Sequence, residues 1–325
     1  MRSKRKDEHL LYALEQDTFY DGFEGVRLTH QSLPSYDMSD VSLQSTYLNR
    51  TFETPIYINA MTGGSDKTLE VNKKLALLAQ KHKLAMAVGS QHVALDDPQY
   101  EKTFRIVREN YPEGFLIGNV NANATVEEAK RAIEMIDANA LGIHINPAQE
   151  LTMDEGDRNF KHWIENISNI VASVDVPVIV KEVGNGMSLE TVEKLIAIGV
   201  KHVDVSGRGG TNFIWIENKR SEAKRYDYLE NWGLTTVESL VDNIQHQKKV
   251  EVIASGGVTS PLDVIKCLVL GAKAVGMSGM FLKAVMNNEE EKIDDFIEDL
   301  KKLLILVDVN SPSKLNTIRY HMNGR

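Results

Sequence analysis

Short apolar runs alternate with helical patterns along most of this chain, beginning near residue 54. Such alternation is typical of repeated βα units, in which each strand is followed by a helix that covers the sheet. The predicted strands are residues 55–60, 84–88, 115–118, 140–143, 176–180, 202–205, 250–254 and 274–277. Eight units predict an α/β fold of the (β/α)8 TIM barrel class, whose active site is expected at the carboxyl ends of the strands.

Three parts of the chain do not follow this alternation of strands and helices. Residues 1–50 contain only a short amphipathic piece at residues 9–14, and we expect them to form an N-terminal extension packed on the barrel. Residues 51–325 would then form the barrel itself, ending in an amphipathic helix at about residues 289–307. Between Thr211 and Trp232, after the sixth strand, a long insertion mixes aromatic residues with many charges. Because long loops in compact domains are usually functional or disordered, we interpret it as a mobile lid loop over the barrel mouth.

Composition narrows the class of protein. The chain has 325 residues, 42% of them hydrophobic, which suits one large domain. Its net charge of −9 argues against a nucleic-acid partner held by electrostatics. The single cysteine, Cys267, excludes an intramolecular disulfide and a thiolate zinc cluster, and fits a reducing compartment such as the cytoplasm. No apolar run reaches the roughly 18 residues of a membrane span, and the basic N-terminus is followed by acidic residues instead of a signal-peptide core.

Glycine-rich turns follow the last two predicted strands, at Ser255-Gly256-Gly257 and at Gly276-Met277-Ser278-Gly279. Barrels of this class often bind a phosphate there through backbone N–H groups, and glycine permits the close approach. One such turn could be merely a tight connection. Two in adjacent units indicate a phosphate site.

Lys181 ends the buried fifth strand, where an ammonium group is costly without a negative partner. A lysine in this place can stabilise the reduced, anionic ring of a flavin, which is one way in which proteins tune the cofactor. An ion pair with Glu182 is the alternative. Residues at other strand ends would supply backbone and side-chain contacts to the polar edge of the ring: Met61, Thr62, Ser90 and Asn119.

The fourth strand opens into a polar stretch, His144-Ile145-Asn146-Pro147-Ala148-Gln149-Glu150. Glu150 is a hard oxygen ligand of the kind that Mg²⁺ takes when a substrate phosphate completes its shell. His144 and Asn146 project to one face and can donate to phosphate oxygens, although a satisfied buried histidine is the alternative for His144. Gln149 is neither a strong acid nor a strong base, but it can relay a proton beside a flavin.

Basic residues at the N-terminus, Arg5, Lys6 and His9, are open to two interpretations. They either form a solvated end or reach a diphosphate, in their own or in a neighbouring subunit.

Taken together, these residues resemble the type 2 isopentenyl-diphosphate isomerase family, whose members depend on FMN. The His-x-Asn-x-x-Gln-Glu pattern at His144 is the most specific element of the match, which spans nearly the whole chain. The resemblance implies the reversible conversion of isopentenyl diphosphate to dimethylallyl diphosphate, with FMN, Mg²⁺ and a reductant such as NADPH. It also implies a homo-oligomer, a tetramer or an octamer, and no net redox change, so that reduced FMN serves as an acid/base group.

The resemblance assigns roles residue by residue. The implied catalytic residues are Gln149, Lys181 and His144. The implied substrate-binding residues are Arg5, Lys6, His9, Ser90, Gln91, His92, His144, Asn146 and Gln149. The implied cofactor-binding residues are Met61, Thr62, Gly63, Ser90, Asn119, Lys181, Ser206, Thr211, Gly257, Thr259, Ser278 and Gly279. Glu150 is the implied metal ligand.

Two departures from the family pattern and three rival functions remain. His92 and Thr259 stand where the family commonly has arginines that contact the diphosphate and the flavin phosphate. An FMN-dependent 2-hydroxy-acid oxidase would need a His-Gly-Gly-Arg-like cluster, and this chain has Ser206-Gly207-Arg208-Gly209-Gly210 instead. A purine-nucleotide dehydrogenase would need a cysteine on a mobile loop, whereas Cys267 lies in a helical pattern. A flavin-storing barrel without turnover is the third alternative.

Overall fold

Eight parallel strands close into a barrel in this computed structural model, which describes residues 2–16, 22–221 and 224–322, with the side chains of residues 2–5 left out. The strands are β1 Val26–Leu28, β2 Ser45–Tyr47, β3 Arg50–Phe52, β4 Ile56–Ile58, β5 Met86–Ala87, β6 Leu116–Asn121, β7 Ala140–His144, β8 Val178–Lys181, β9 His202–Asp204, β10 Glu251–Ser255, β11 Val275–Met277 and β12 Tyr320–Met322. The barrel consists of β4 to β11 in chain order, and β11 pairs with β4 to close it. Each predicted strand overlaps one barrel strand, so the predicted TIM barrel is confirmed.

Helices follow the barrel strands and cover their outer faces, except for the first helix, which precedes all of these strands. They are α1 Arg2–Glu15, α2 Asp66–His82, α3 His92–Asp96, α4 Lys102–Asn110, α5 Val126–Ile136, α6 Pro147–Thr152, α7 Trp163–Ser173, α8 Leu189–Ala197, α9 Phe213–Arg220, α10 Thr236–Asp242, α11 Pro261–Val269, α12 Gly279–Asn287 and α13 Glu291–Leu306. Local signals begin several of them. The hydroxyl of Thr125 accepts a hydrogen bond from the backbone of Glu128 in a capping box, and the hydroxyl of Ser188 accepts one from the backbone of Thr191 at the start of α8.

The barrel strands are buried on both faces, as expected of parallel strands that lie beneath helices. One cluster of apolar side chains fills the layer between strands and helices, and a second fills the amino-terminal end of the barrel. The hairpin of β2 and β3 contributes to the second cluster, where Tyr47 stacks on Phe52 with ring centroids 4.1 Å apart. The carboxyl end of the barrel therefore remains for the functional groups.

The N-terminal helix α1 is longer than the sequence predicted. It begins at Arg2 instead of near His9, and it contacts α2, α9 and α12. The division into an extension, residues 1–50, and a barrel, residues 51–325, stays a prediction. The first strand, β1, pairs antiparallel with the last described strand, β12.

The insertion predicted as a loop contains helical structure, which corrects that part of the prediction. Residues 213–220 form α9, and a short 3-10 turn follows at residues 227–229. Asn212 caps α9 by accepting a hydrogen bond from the backbone of Trp215, and the helix packs on α1 and α6. The C-terminal helix is confirmed as α13. Among the described helices, none has the length and apolar character needed to cross a membrane.

Candidate active site

A cavity of about 1460 Å³ opens at the carboxyl ends of the barrel strands, beneath α1 and α9. It is lined by most of the residues that the sequence singled out. On the side predicted to bind substrate these are Lys6, His9, Ser90, His92, His144, Asn146, Gln149 and Glu150. On the side predicted to bind cofactor these are Met61, Thr62, Asn119, Lys181, Ser206, Thr211, Gly257, Thr259, Ser278 and Gly279. The structure thus brings together residues from all eight strand ends.

Two predicted residues do not line the cavity, and the side chain of a third is not described. Gln91 is fully buried beside the barrel, where its Nε2 donates to Ala132 O at 2.9 Å and its Oε1 accepts from Asn119 N at 2.8 Å. Its side chain therefore joins β6 to α5 and does not line the cavity, and its role in substrate binding stays a prediction. Gly63 is not part of the cavity lining, and a Cβ there would lie 2.1 Å from the Phe104 ring of α4. Its flavin contact stays a prediction. The side chain of Arg5 lies outside the described part of the chain.

The glycine turns form a cradle that side chains would fill. Gly256 has φ +94°, and a Cβ on it would lie 2.0 Å from Gly207 O, so the turns after β9 and β10 are in backbone contact. Gly279 begins α12 with open space around its Cα, and Ser278 makes no side-chain cap. Backbone N–H groups in a first helical turn have no partner within the helix and can bind a phosphate. This part of the cavity therefore fits the phosphate of FMN.

Thr259 plays a different local role from the one predicted. Its hydroxyl and its backbone N–H both donate to Asp263 Oδ2, at 3.2 and 3.1 Å, at the start of α11. The side chain lines the cavity but is engaged as part of a helix cap, so a flavin-phosphate contact through this hydroxyl is not supported.

Lys181 lies at the end of β8 with only 8% of its surface exposed. Its Nζ donates to the main-chain carbonyl of Glu182 at 2.8 Å, so this contact is not the ion pair considered from the sequence. The carboxylate of Glu182 instead accepts from the backbone of Val183 and Asn185 at 2.6 and 2.5 Å. Burial raises the pKa of Glu182 to about 7 despite these bonds and the nearby Lys181.

Asp204 is a buried carboxylate that the sequence did not single out. It pairs in register with Lys181 on the neighbouring strand. It accepts hydrogen bonds from Tyr57 Oη, Asn59 Nδ2 and Ser255 Oγ, at 3.0, 3.1 and 2.7 Å. These bonds tie β4, β9 and β10 together directly below the cavity.

His144 is oriented by Asn119. Its Nδ1 lies 3.0 Å from Asn119 Oδ1, and Asn119 Nδ2 donates to Val88 O, which fixes the amide so that its oxygen faces the imidazole. His144 therefore carries its proton on Nδ1. Burial lowers the pKa of His144 well below its usual range, and the positive charges of His92, Lys181 and Lys6 act in the same direction.

The polar stretch after β7 forms a chain of hydrogen bonds. Asn146 Nδ2 donates to Gln149 Oε1 and to Glu150 Oε1, both at 3.1 Å, while its buried Oδ1 has no partner among the described residues. Glu150 Oε2 accepts from Asp157 N at 2.8 Å. The described residues contain no cluster of three histidine, cysteine or acidic side chains suited to a metal. A metal ion on Glu150 would therefore need oxygen ligands from substrate and water.

Glu217 on α9 is a second buried carboxylate of the site that the sequence did not single out. It is 2% exposed, and its Oε1 accepts from His9 Nε2 at 3.0 Å and from Gln149 Nε2 at 2.9 Å. Burial acts to raise the pKa of Glu217, but its bonds to His9 and Gln149 and the charge of Arg220 outweigh burial and lower it. The only sequence signal was a glutamate among apolar residues within the insertion.

Comparison with known proteins places the chain in a family. A family model described as FMN-dependent dehydrogenase matches residues 96–307. An isopentenyl-diphosphate delta-isomerase of Staphylococcus epidermidis is 48% identical over 97% of this chain and 91% of its own length. The chain belongs to the isopentenyl-diphosphate delta-isomerase family. An isopentenyl-diphosphate delta-isomerase of Staphylococcus aureus is 49% identical over 95% of this chain and 90% of its own length. The predicted resemblance to the type 2, FMN-dependent enzymes is thus confirmed.

The fold is shared with more distant flavoproteins. A structure of a mandelate oxidase mutant with an FMN adduct superimposes with a TM-score of 0.68, covering 97% of this chain and 92% of its own, at 14% identity. At that identity the likeness concerns the barrel alone. Membership in the isopentenyl-diphosphate delta-isomerase family favours the isomerase over the hydroxy-acid oxidase. Cys267 lies buried within the helix α11 instead of on a loop, so a nucleophilic role for it is not supported.

Proposed function

We propose that this protein interconverts isopentenyl diphosphate and dimethylallyl diphosphate with reduced FMN. One observation carries the proposal. The carboxamide of Gln149 is held between Asn146 and the buried carboxylate of Glu217, in a cavity that has a flavin-type lysine on one side and basic residues on the other. Isomerisation adds one proton and removes another, so the site needs proton-handling groups and no net electron transfer.

FMN fits one side of the cavity. When bound and reduced, it would supply an acid/base group at N5 of its ring. Gly257, Ser278 and Gly279 would bind its phosphate through backbone N–H groups. Lys181 would lie against the ring, where its ammonium stabilises negative charge. Met61, Thr62, Ser206 and Thr211 line the same part of the cavity and would complete the contacts.

The diphosphate would bind on the opposite side. Glu150 would hold Mg²⁺ against the diphosphate, because Mg²⁺ is commonly bound by one or two carboxylates plus substrate phosphates and waters. The unpartnered Oδ1 of Asn146 is suited to accept a hydrogen bond from a water of the hydrated ion. Lys6, His9, Ser90, His92 and His144 line this side and would bind phosphate oxygens, His9 and His144 in their protonated forms.

Gln149 would pass a proton between the substrate and Glu217. Its Oε1 accepts from Asn146 and its Nε2 donates to Glu217, so the orientation of its amide is set on both sides. Glu217 is ionised at neutral pH because its pKa is lowered, and it is therefore able to accept a proton. A carboxamide alone cannot hold a proton for long, which gives the buried carboxylate its part in the relay.

Three further features belong to this proposal as predictions from the resemblance and the composition. They are NADPH as the reductant, a tetrameric or octameric homo-oligomer, and a cytoplasmic location.

An anaerobic assay tests the proposal. Purified protein supplied with FMN, Mg²⁺ and a chemical reductant is mixed with isopentenyl diphosphate, and the allylic isomer is measured. We expect conversion with reduced flavin and none with oxidised flavin. Oxidation of a 2-hydroxy acid by the oxidised protein, with the diphosphate unchanged, would establish the oxidase alternative instead. A flavin absorbance spectrum without either turnover would support the storage alternative.

A further inference from the structure

Arg220, at the last residue of α9, contacts three carboxylates from three separate parts of the chain. Its Nε donates to Glu8 Oε2 of α1 at 3.0 Å, and its Nη2 donates to Glu155 Oε1 at 3.0 Å. Its Nη1 donates to Glu217 Oε2 one turn earlier on the same helix. The arginine side chain is only 16% exposed, and the Glu217 side chain is 1% exposed. One guanidinium therefore joins α1, α9 and the segment after α6.

The helices α1 and α9 are also joined at their other ends. Gln16 Nε2 donates to Asn212 O at 2.8 Å, and Asn212 N donates to Gln16 Oε1 at 2.9 Å. Because Gln16 follows the end of α1 and Asn212 precedes the start of α9, the two helices run antiparallel. Arg220 and Glu8 connect the opposite end of the pair. Between these ends, His9 meets the edge of Phe213, with ring centroids 5.8 Å apart.

This geometry places Arg220 behind the proton relay. The carboxylate of Glu217 binds Arg220 through Oε2, while its Oε1 accepts from Gln149 and from His9. A guanidinium can fix the orientation of a carboxylate through directed hydrogen bonds, and it also stabilises the negative charge. A buried carboxylate that loses its cation is left uncompensated and tends to take up a proton or move.

We propose that Arg220 is a positioning residue for the reaction. By tying α1 and the segment after α6 to α9, it holds Glu217 where Gln149 and His9 can donate to it, and it closes α1 over the cavity. Arg220 also lines the cavity, but its Nε, Nη1 and Nη2 each bind a carboxylate, so it acts on the reaction through Glu217. The proposal rests on the proposed function for its effect on turnover, but its effect on the closure of α1 does not depend on that function.

The charged groups around Glu217 determine the expected pH dependence. They are His9 and Lys6 on α1, Arg220 on α9, and Glu8 and Glu155, which face Arg220. The charge of Arg220 and the His9 hydrogen bond lower the pKa of Glu217 against its burial. Without Arg220 the pKa of Glu217 rises. As the pH falls, a step that needs ionised Glu217 is therefore lost at a higher pH than in wild type.

The test compares FMN-loaded wild-type protein with Arg220→Gln, Arg220→Lys and Glu155→Gln. Arg225→Gln is the matched control, since Arg225 is exposed on the same insertion and stacks on Tyr226. We expect Arg220→Gln to retain FMN and to lose about 10²-fold in kcat, the size of effect that a small misplacement of a reacting group causes. The pH below which the kcat of Arg220→Gln falls should be higher than in wild type. Arg220→Lys should recover part of the loss, and Glu155→Gln, at the exposed end of the contact, should show a smaller effect in the same direction.

Hydrogen exchange provides a second readout that does not depend on turnover. Amides of α1 and α9 should exchange faster in Arg220→Gln than in Arg225→Gln, while the barrel strands remain protected. The proposal would be overturned if Arg220→Gln kept the kcat, the pH dependence and the amide exchange rates of wild type. It would also be overturned if the variant lost FMN or the protection of its barrel strands, because Arg220 would then be merely structural. If wild-type protein does not isomerise the diphosphate, the proposed function fails, and the exchange comparison still decides whether Arg220 closes α1.

Discussion

Gln149 shows how single residues obtain their chemistry here from their neighbours. A glutamine in water is a poor proton carrier, yet this side chain bridges the amide of Asn146 and the buried carboxylate of Glu217. Neither contact involves the glycine turns or Lys181. The structure therefore separates what Gln149 does for the substrate from what holds the flavin.

Replacing Gln149 by alanine should abolish most turnover and leave FMN bound. We expect kcat to fall by about 10² or more, the usual contribution of a positioned proton-transfer group. Flavin absorbance and isomer formation, measured on the same preparation, check this. The control is Gln44→Ala, because Gln44 is exposed and distant from the cavity lining. A variant that loses its flavin would make Gln149 structural, and one that keeps its kcat would remove it from the relay.

His144 should take up a proton when a diphosphate binds. Burial and the positive charges of His92, Lys181 and Lys6 lower its pKa in the free protein, so it is neutral at pH 7. The negative charges of a bound diphosphate favour the charged imidazolium and raise that pKa, so affinity should fall as the pH rises. Calorimetry of Mg²⁺-pyrophosphate binding in two buffers with different ionisation heats measures the proton uptake.

The uptake should be smaller in His144→Asn than in wild type, and unchanged in His321→Asn, which alters an exposed histidine on β12. Equal uptake in wild type and His144→Asn would contradict the account, because the proton would then go to another group.

Some site residues could be predicted from local sequence and others could not. Lys181 and His144 each end an apolar run, and the carboxyl ends of barrel strands meet at one rim, so their convergence follows from the fold. Glu217 has no such signal, because its partners Gln149 and His9 are 68 and 208 residues away. Gln91 also follows a strand, but its side chain turns toward α5, and that direction depends on helix packing.

Among the structural elements, the turn after β10 strictly requires a glycine. Gly256 lies in the left-handed region of φ, and its Cα touches the carbonyl of Gly207. The same backbone contact brings the turns after β9 and β10 together beneath the proposed phosphate site. A side chain at residue 256 would therefore disturb both turns.

Gly256→Ala should weaken FMN binding by about tenfold or more, since a strained backbone residue costs about 1–3 kcal/mol and the new Cβ meets Gly207 O. Fluorescence titration of flavin-free protein with FMN measures the affinity. Gly25→Ala is the control, because a Cβ at Gly25 meets nothing within 4 Å. Unchanged FMN affinity in Gly256→Ala would show that this turn does not hold the phosphate.

Element prediction succeeded where the pattern was local. Barrel strands can be recognised as apolar runs because both of their faces are buried. Helix starts can be recognised from caps such as Thr125, which act within one helical turn. The first residues of α1 are mostly charged and carry no apolar period, so their helix could not be predicted. The helix α9 could not be predicted for a similar reason: its short sequence carries no clear helical period, and the helix packs on α1 and α6, which are distant in sequence.

At the scale of the whole molecule, long-range pairings complete the barrel. Barrel closure by β11 and β4 could be expected from eight units, since a closed barrel leaves no open sheet edge. The pairing of β1 with β12 and the hairpin at the amino-terminal end could not, because they join segments that share no sequence period. The hairpin closes the amino-terminal end of the barrel, and α1 with α9 covers the other.

The central claim is that the covered cavity moves protons on an isoprenoid diphosphate without net oxidation. The most direct test is turnover of isopentenyl diphosphate by the anaerobically reduced, FMN-loaded protein in deuterium oxide, followed by NMR. The account predicts dimethylallyl diphosphate that carries deuterium from the solvent, with the flavin still reduced at the end. Unchanged diphosphate without deuterium, from protein that binds FMN and is fully reduced, would contradict it.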